Sequence, residues 1–151
     1  MEILELKKDF PLDLLLEADP NQEYVEDYLE RGQVFALFGR DGTAELIGVY
    51  VLLKTRPGTM ELVNLAIREE FRRKGYGKRL IKDALKRSKQ AGIRTLEVGT
   101  ANSSLGPLEL YLKCGFRMTH LDLDFFRRHY PEPIFENGVE CRDMVRLKQD
   151  L

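Results

Sequence analysis

Cysteine is scarce in this chain of 151 residues, which contains only Cys114 and Cys141. Two cysteines are too few for a disulfide framework, and no cluster of cysteine and histidine has the spacing of a zinc site. The chain also lacks an apolar run long enough to span a bilayer, and its first residues are acidic where a signal peptide needs a basic start. We therefore expect a reduced cytoplasmic protein with no metal centre and no membrane partner.

A dominant charge of one sign is absent as well. Lysine and arginine number 24 against 25 aspartate and glutamate residues, and the formal net charge is -1. This balance gives no argument for a nucleic-acid partner. The length suits a single domain over residues 1–151 that can bury a core, and no repeat or low-complexity segment marks a boundary inside it.

The hydrophobic pattern switches along the chain between strand-like and helical spacing, which predicts a mixed α/β fold. Strands are predicted at residues 1–6, 33–38, 45–53, 60–67, 94–98, 115–123 and 141–148, and helices at residues 12–18, 23–30, 75–90 and 108–113. The Asp41-Gly42 pair predicts a hairpin turn between the second and third strands. Residues 124–133 are too aromatic for a passive linker and too rich in proline for a long helix.

A basic loop with two glycines connects the strand at residues 60–67 to the longest predicted helix. Its sequence is Arg72-Arg73-Lys74-Gly75-Tyr76-Gly77. Glycines let the backbone approach a ligand closely, and the N–H groups and dipole of a helix N-terminus favour negative charge. We expect an anion site here, with a pyrophosphate as its guest. A solvated basic loop and a simple tight turn are the alternatives.

Two common phosphate-binding motifs do not match this loop. A Walker loop needs a glycine where Arg72 stands and a hydroxyl where Arg79 stands. A dinucleotide fingerprint needs a third glycine where Leu80 stands. These mismatches argue against a nucleotide-binding protein of either kind.

The pattern Arg72-x-x-Gly75-x-Gly77 instead resembles the (Q/R)-x-x-G-x-(G/A) signature of the GNAT superfamily of acetyl-coenzyme A (acetyl-CoA) dependent N-acetyltransferases. The resemblance continues through an asparagine, Asn102, and the motif Leu110-Tyr111-x-x-x-Gly115-Phe116, so that it covers roughly residues 60 to 117. Residues 124–130 and 135–138 look like the YvbK-type group of small bacterial acetyltransferases. The resemblance implies an α/β (α+β) GNAT fold, in which a mixed, mostly antiparallel sheet splays at the coenzyme site and is flanked by helices.

The resemblance also implies which residues bind the coenzyme. The basic loop and Lys78 would hold the pyrophosphate, and Asn102 would contribute a further contact. The backbone groups of Leu65, Ala66 and Ile67 would bond to the pantetheine arm. Asn102 and Tyr111 stand farther apart than the family spacing, with Gly106-Pro107 between them, and this departure leaves the start of the following helix open.

Tyr111 has two possible roles. In the family, a tyrosine at this position often lies near the thioester sulfur, where a phenol can protonate the departing thiolate. Because Leu108 and Leu112 share the same predicted helix, a packed core tyrosine is the alternative. We favour the catalytic role.

A carboxylate is expected to remove the proton from the attacking amine. Glu97 is the first candidate, because it interrupts the apolar run Leu96-Glu97-Val98 and a carboxylate in an interior strand is costly unless it opens into a wet cleft. The family resemblance supports it, because RimI-type members carry their catalytic glutamate in this context. Glu61, on the strand before the loop, is the second candidate.

The resemblance implies an enzyme that transfers acetyl from acetyl-CoA to a primary amine by direct attack. The acceptor is either a small-molecule amine or a protein N-terminus, and a homodimer is possible. A non-catalytic acyl-CoA binding or sensing module is the competing class. Asp122, Asp124 and Phe125 are weaker candidates for the acceptor site, whereas His120, His129 and Cys114 are expected to be structural.

Overall fold

The structure, a computed structural model, describes residues 1–39 and 45–151. Its strands are β1 (Glu2–Leu6), β2 (Gln33–Phe38), β3 (Leu46–Arg56), β4 (Thr59–Ile67), β5 (Thr95–Ala101), β6 (Arg117–Asp122), β7 (Phe135–Glu136), β8 (Val139–Glu140) and β9 (Met144–Asp150). Its helices are α1 (Leu12–Ala18), α2 (Gln22–Arg31), α3 (Tyr76–Gln90), α4 (Leu105–Lys113) and α5 (Phe125–His129). The predicted Asp41-Gly42 turn lies outside the described residues, but the antiparallel pairing of β2 with β3 is present.

Seven strands form one sheet in the order β1-β2-β3-β4-β5-β9-β6. Every neighbouring pair is antiparallel except β4 with β5, which run parallel. The short strands β7 and β8 form a separate hairpin. This mixed sheet with flanking helices is the predicted fold class.

Helices cover both faces of the sheet because their apolar residues recur at helical spacing. Helix α3 buries Leu80, Ile81 and Ala84 in a cluster with Tyr50 and Leu96 on one face. Helices α1 and α2 bury Leu14, Leu15, Val25 and Tyr28 on the opposite face. Helix α2 begins directly after Asn21, whose side chain accepts a hydrogen bond from the backbone N–H of Tyr24 at 3.1 Å.

A β-bulge in β4 changes which side chains of this strand point to each face of the sheet. Leu52 of β3 lies opposite Leu62 and Val51 lies opposite Asn64, so Val63 is an extra residue in β4. Before this bulge Leu62 belongs to the cluster beneath α3, and after it Asn64 faces α1 and α2. The bulge therefore fixes which side chains of β4 face α1 and α2.

The parallel pairing of β4 with β5 stops at Leu62 and Val98. Beyond that pair β4 continues to Ile67 beside β3, while β5 continues to Ala101 beside β9. The two strands separate, and each leaves one edge that no strand of the described residues pairs with. This separation is the predicted splay of the central sheet.

Several element boundaries differ from the predictions; β3 and β5, for example, each end three residues later than predicted. Helix α4 begins at Leu105 rather than Leu108, because Pro107 falls in the first turn, where a helix needs no N–H donor. Strand β9 begins at Met144 rather than Cys141, and β6 ends at Asp122. The 124–133 segment forms the short helix α5, and the β7–β8 hairpin was not predicted.

Within the described ranges, no helix is both long and apolar enough to cross a membrane.

Candidate active site

A cleft of about 1040 Å³ opens where β4 and β5 separate. It is bounded by β4 and β5, by the N-terminus of α3, by α4, by α1 and α2, and by the segment that contains α5. Seven residues of the predicted site line it: Leu65, Ala66, Ile67, Arg72, Arg73, Gly77 and Tyr111. The fold therefore brings the basic loop, the free edge of β4 and Tyr111 to one cavity.

The basic loop presents backbone N–H groups at the start of α3. Gly75 adopts a left-handed conformation with φ of 86° at the N-cap position, and no side chain caps the helix. The first helical hydrogen bond runs from the N–H of Arg79 to the oxygen of Gly75 at 3.2 Å. The N–H groups of residues 76–78 thus receive no acceptor from the described part of the chain, and groups of this kind can bind an anion.

The side chains of the loop differ in their surroundings. Arg72 bonds back to the protein, because its Nε donates to the oxygen of Ile67 at 2.9 Å and its Nη2 donates to Glu17 at 3.1 Å. Arg73 has a positive φ of 62° and lines the cleft. Arg72 therefore braces the loop against the end of β4.

The remaining predicted loop residues lie at the rim of the site. Lys74 stands 5.9 Å above the ring of Phe71, and Tyr76 packs edge-on against the same ring at 6.2 Å. Lys78 is exposed on the first turn of α3. These three residues lie beside the anion site but do not line the cleft.

The residues predicted for the pantetheine arm lie on the free edge of β4. Leu65 and Ala66 pair with Tyr50 and Val49 of β3 on one side, and β5 has already separated on the other. All three of the predicted residues, including Ile67, line the cleft. A strand edge without a partner offers backbone donors and acceptors to an extended ligand.

Tyr111 is buried and lines the cleft. Only 7% of the residue is exposed, and its ring packs edge-on against Phe116 at 5.8 Å. Its hydroxyl makes no hydrogen bond to any residue that the structure describes. Burial raises the pKa of this hydroxyl above its ordinary value, so the phenol keeps its proton across the neutral range.

Glu61 and Glu97 lie side by side. They occupy the same register position on the parallel strands β4 and β5, so their side chains project from the same face. Glu61 lines the cleft, and its carboxylate is 3.4 Å from Arg146. Glu97 does not line the cleft, and its carboxylate is 3.9 Å from Arg56.

The environment of Glu61 alters its acidity. Burial raises the pKa of the Glu61 carboxyl, the Arg146 guanidinium opposes that rise, and the negative charge of Glu97 adds to it. The net direction is upward, toward the range in which a carboxylate is an effective base at neutral pH.

Asn102 uses its side chain within the protein. Its Oδ1 accepts hydrogen bonds from the N–H groups of Arg142 and Asp143 at 2.8 and 3.0 Å, and its Nδ2 donates to the oxygen of Glu140 at 3.1 Å. These bonds fasten the segment before β9 to the end of β5. The role predicted for Asn102 toward the coenzyme stays a prediction.

Of the three weaker acceptor-site candidates, only one lines the cleft. Asp122 pairs with Arg128 at 2.7 Å and Asp124 pairs with Arg142 at 2.6 Å, and neither residue lines the cleft. Phe125 does line it, and the guanidinium of Arg146 lies 5.5 Å from the centre of its ring.

Comparison with known proteins places this geometry in a family. The model of the Acetyltransferase (GNAT) family matches residues 2–116. The chain belongs to the GNAT family of acetyltransferases. It is 54% identical to the uncharacterized N-acetyltransferase YvbK of Bacillus subtilis, over 151 residues that cover 100% of this chain and 96% of YvbK.

Solved GNAT structures share its fold over nearly the whole chain. An acetyltransferase of Bacillus subtilis in complex with CoA superposes with a TM-score of 0.92 at 52% identity, covering 99% of this chain and 97% of that one. A GNAT family acetyltransferase of Elizabethkingia anophelis with acetyl-CoA bound gives a TM-score of 0.91 at 40% identity, covering 99% and 98%. These likenesses confirm the predicted family, fold and class of enzyme, an acetyl-CoA-dependent N-acetyltransferase.

Several side chains in the GNAT cleft were not singled out from the sequence. Arg146 reaches Glu61 across β5 because Gly99 lies between them, where a Cβ would come within 3.1 Å of the arginine Nη1. Asp19 and Asn64 also line the cleft. Asn64 carried a visible signal, since it is a polar residue within the apolar run of β4.

Proposed function

We propose that this protein transfers the acetyl group of acetyl-CoA to a primary amine by direct attack of the amine on the thioester. The observation that carries the proposal is a single cleft lined by the start of the α3 anion site, the free edge of β4, Glu61 and Tyr111. An acetyl donor and an amine can meet there next to a carboxylate and a phenol. Holding both reactants in contact removes much of the entropic cost of their reaction.

The anion site and the edge of β4 suit the two polar parts of the coenzyme. The unpartnered N–H groups of residues 76–78 suit the pyrophosphate, and the guanidinium of Arg73 adds positive charge beside them. The edge from Leu65 to Ile67 suits the amides of the pantetheine arm. The B. subtilis and E. anophelis structures contain CoA and acetyl-CoA respectively, which supports coenzyme binding by this chain.

Glu61 is the better candidate for the base, and its position reverses the ranking made from the sequence. It lines the cleft and has a raised pKa, whereas Glu97 faces Arg56 outside the cleft. Glu61 takes a proton from the incoming ammonium, directly or through a water, so that the nitrogen lone pair becomes available. Glu97 then acts on Glu61 through its charge.

Tyr111 is the candidate acid. As the amine nitrogen bonds to the acetyl carbon, the bond from that carbon to sulfur breaks and the sulfur leaves as a thiolate. The protonated phenol of Tyr111 can supply the proton that this thiolate takes up. Its partnerless hydroxyl in the cleft suits that role.

Replacing Gly77 with valine is expected to weaken acetyl-CoA binding strongly while the protein remains folded. A Cβ at residue 77 already meets Leu110 at 3.2 Å, and the branches of valine crowd the backbone beside the anion site. Isothermal titration calorimetry measures the affinity, and thermal unfolding measures the fold. Lys86→Val, on the exposed face of α3, is the control for valine in this helix. Unchanged affinity in Gly77→Val contradicts the placement of the pyrophosphate.

Turnover of amines tests the function. Purified protein is mixed with acetyl-CoA and members of each amine class, namely polyamines, aminoglycosides, amino acids and peptides with free N-termini. Thiol release and the mass of the product are measured together. We expect at least one class to gain an acetyl group, whereas tight acetyl-CoA binding without turnover of any class favours the non-catalytic module.

A further inference from the structure

Asp19 lies in the cleft and is held by neutral donors. Its Oδ1 accepts a hydrogen bond from the hydroxyl of Tyr130 at 2.8 Å and one from the N–H of Asn21 at 3.2 Å. Its Oδ2 accepts one from the hydroxyl of Tyr28 at 3.2 Å. These bonds orient the carboxylate without neutralising it.

Three other carboxylates on the same cleft, those of Glu17, Asp27 and Glu61, are paired with arginine. The fourth, Glu136, accepts hydrogen bonds from Ser104 and Cys141. Glu17 pairs with Arg72 and Asp27 pairs with Arg31, at 3.1 and 2.7 Å. Within residues 1–39 and 45–151, no lysine, arginine or histidine lies at ion-pair distance from Asp19. A partly buried carboxylate with no cationic partner favours a cation in the neighbouring space.

Asn64 supplies an independent sign of a missing ligand. Only 5% of the residue is exposed, and it lies on the cleft wall. Its Nδ2 donates to Tyr28 and to the oxygen of Leu15, at 2.8 and 3.0 Å. Its Oδ1 is enclosed and accepts no hydrogen bond from the described residues. A buried oxygen of this kind costs free energy until an N–H or O–H donor reaches it.

Aromatic rings border the same space. Tyr28, Phe126 and Tyr130 line the cleft, and the rings of Phe126 and Tyr130 lie 5.5 Å apart. Aromatic faces attract cations, and an ammonium group offers several N–H donors at once. Charge, hydrogen bonding and ring surface all suit the same chemical group.

We infer that Asp19, Asn64 and the tyrosines Tyr28 and Tyr130 form a subsite for a second, protonated amino group of the acceptor. This inference rests on the proposed function. The reacting amine must lose a proton beside Glu61, whereas an amine beside Asp19 is held as its ammonium ion. The acceptor is therefore a small molecule with at least two amino groups.

The spacing along β4 sets the length of this acceptor. Asn64 follows Glu61 by three residues, but Val63 between them is the bulge residue, and their partners Leu53 and Val51 are only two residues apart on β3. At a rise of about 3.3 Å per residue, about 7 Å separates the two positions. An extended diamine with a short carbon chain can place one nitrogen near each position. A monoamine of the same length can occupy only the reactive position with a charged group.

Three acceptors of matched length test the inference with the full-length protein. They are a five-carbon terminal diamine, the five-carbon monoamine, and the five-carbon amine that ends in a carboxylate. We expect kcat/KM for the diamine to exceed that for the monoamine by about tenfold or more. Asp19→Asn should remove most of this preference while kcat/KM for the monoamine stays within about twofold. Asp27→Asn, on the same cleft, should leave the preference unchanged.

Other outcomes overturn the subsite. Equal kcat/KM values for the diamine and the monoamine overturn it. A higher kcat/KM for the acceptor with a carboxylate also overturns it, and would indicate that Arg146 binds the far end of the acceptor. A loss of kcat/KM in Asp19→Asn that is equal for all three acceptors overturns it as well. If none of the three is turned over, calorimetry measures the binding of the diamine to the CoA complex. Binding that is weaker in Asp19→Asn supports the subsite. Absent binding, or binding that is unchanged in Asp19→Asn, overturns it. Failure of the proposed function is separate, since it appears as no turnover with any amine class.

Discussion

Replacing Glu61 with glutamine should lower kcat by about two to four orders of magnitude while acetyl-CoA affinity changes little. Glutamine has nearly the same shape but cannot take a proton from the amine. Because Glu61 lies apart from the anion site at the start of α3, coenzyme binding should survive. Steady-state kinetics with the best acceptor measure kcat, and calorimetry measures the affinity.

Glu97→Gln is the matched control, because Glu97 stands in register with Glu61 on the neighbouring strand. We expect its effect on kcat to be small at neutral pH. If Glu97→Gln shows the large loss and Glu61→Gln does not, the two roles must be exchanged. If neither lowers kcat, the amine enters deprotonated or loses its proton to water.

The pH profile should report the raised pKa of Glu61. A base acts when ionised, so kcat/KM should rise with pH through a pKa above the ordinary range of a glutamate. Glu97→Gln removes a negative neighbour and should move this acid limb to lower pH. Arg146→Gln removes the positive neighbour and should move it to higher pH. If the acid limb of the kcat/KM profile stays at the same pH in both variants, the limb does not report the ionisation of Glu61.

Replacing Tyr111 with phenylalanine should lower kcat by roughly a hundredfold or more if the phenol protonates the thiolate. The ring and its contact with Phe116 remain, so the melting temperature should change little. The pH profile of the wild type should lose activity only above the ordinary pKa of tyrosine, because burial raises the pKa of Tyr111. Turnover and melting temperature are measured on the same preparation.

A packed core tyrosine gives the opposite result. The hydroxyl makes no hydrogen bond within the described residues, so its removal then costs at most about 1 kcal/mol of stability and leaves kcat unchanged. Full activity in Tyr111→Phe returns the residue to the core and assigns the proton to water. Leu108→Ala, on the same helix, is the control for loss of packing in α4.

The parts of the site that could be predicted from the sequence depend on neighbours along the chain. The anion loop needs a strand, two glycines and a helix start, and all of them fall within residues 60–90. The free edge of β4 was expected only through the family resemblance. The side chains of residues 65–67 carry no sign of it, because it arises where β4 and β5 separate.

The order of the two candidate bases could not be settled by local pattern. Glu97 interrupts an apolar strand, and that local signal made it the first candidate although it does not line the cleft. The sequence does not show that Arg146 crosses β5 over Gly99 to reach Glu61, or that Val63 forms a bulge. The first feature depends on β4, β5 and β9, which are distant in the chain, and the second depends on the register of β4 against β3.

The proposed amine subsite could not be predicted from local sequence pattern either. Tyr28 lies in α2 and Asn64 in β4, whereas Asp19 directly follows α1 and Tyr130 directly follows α5. The bond between Tyr130 and Asp19 spans 111 residues. None of these residues belongs to a motif. Only the folded chain shows that two such oxygen groups share one cleft: the Asp19 carboxylate, with no cationic partner among the described residues, and the Asn64 amide oxygen, with no donor among them.

Direct transfer from acetyl-CoA to an amine is tested most directly by a single turnover with acetyl-CoA labelled in its acetyl group and an excess of protein. We expect all the label to appear on the amine nitrogen when an acceptor is present. Without an acceptor, we expect none to remain on the denatured protein. Label that stays covalently on the protein, for example on Cys114 or Cys141, would contradict direct attack, and the absence of labelled amine with every class of acceptor would contradict acetyl transfer itself.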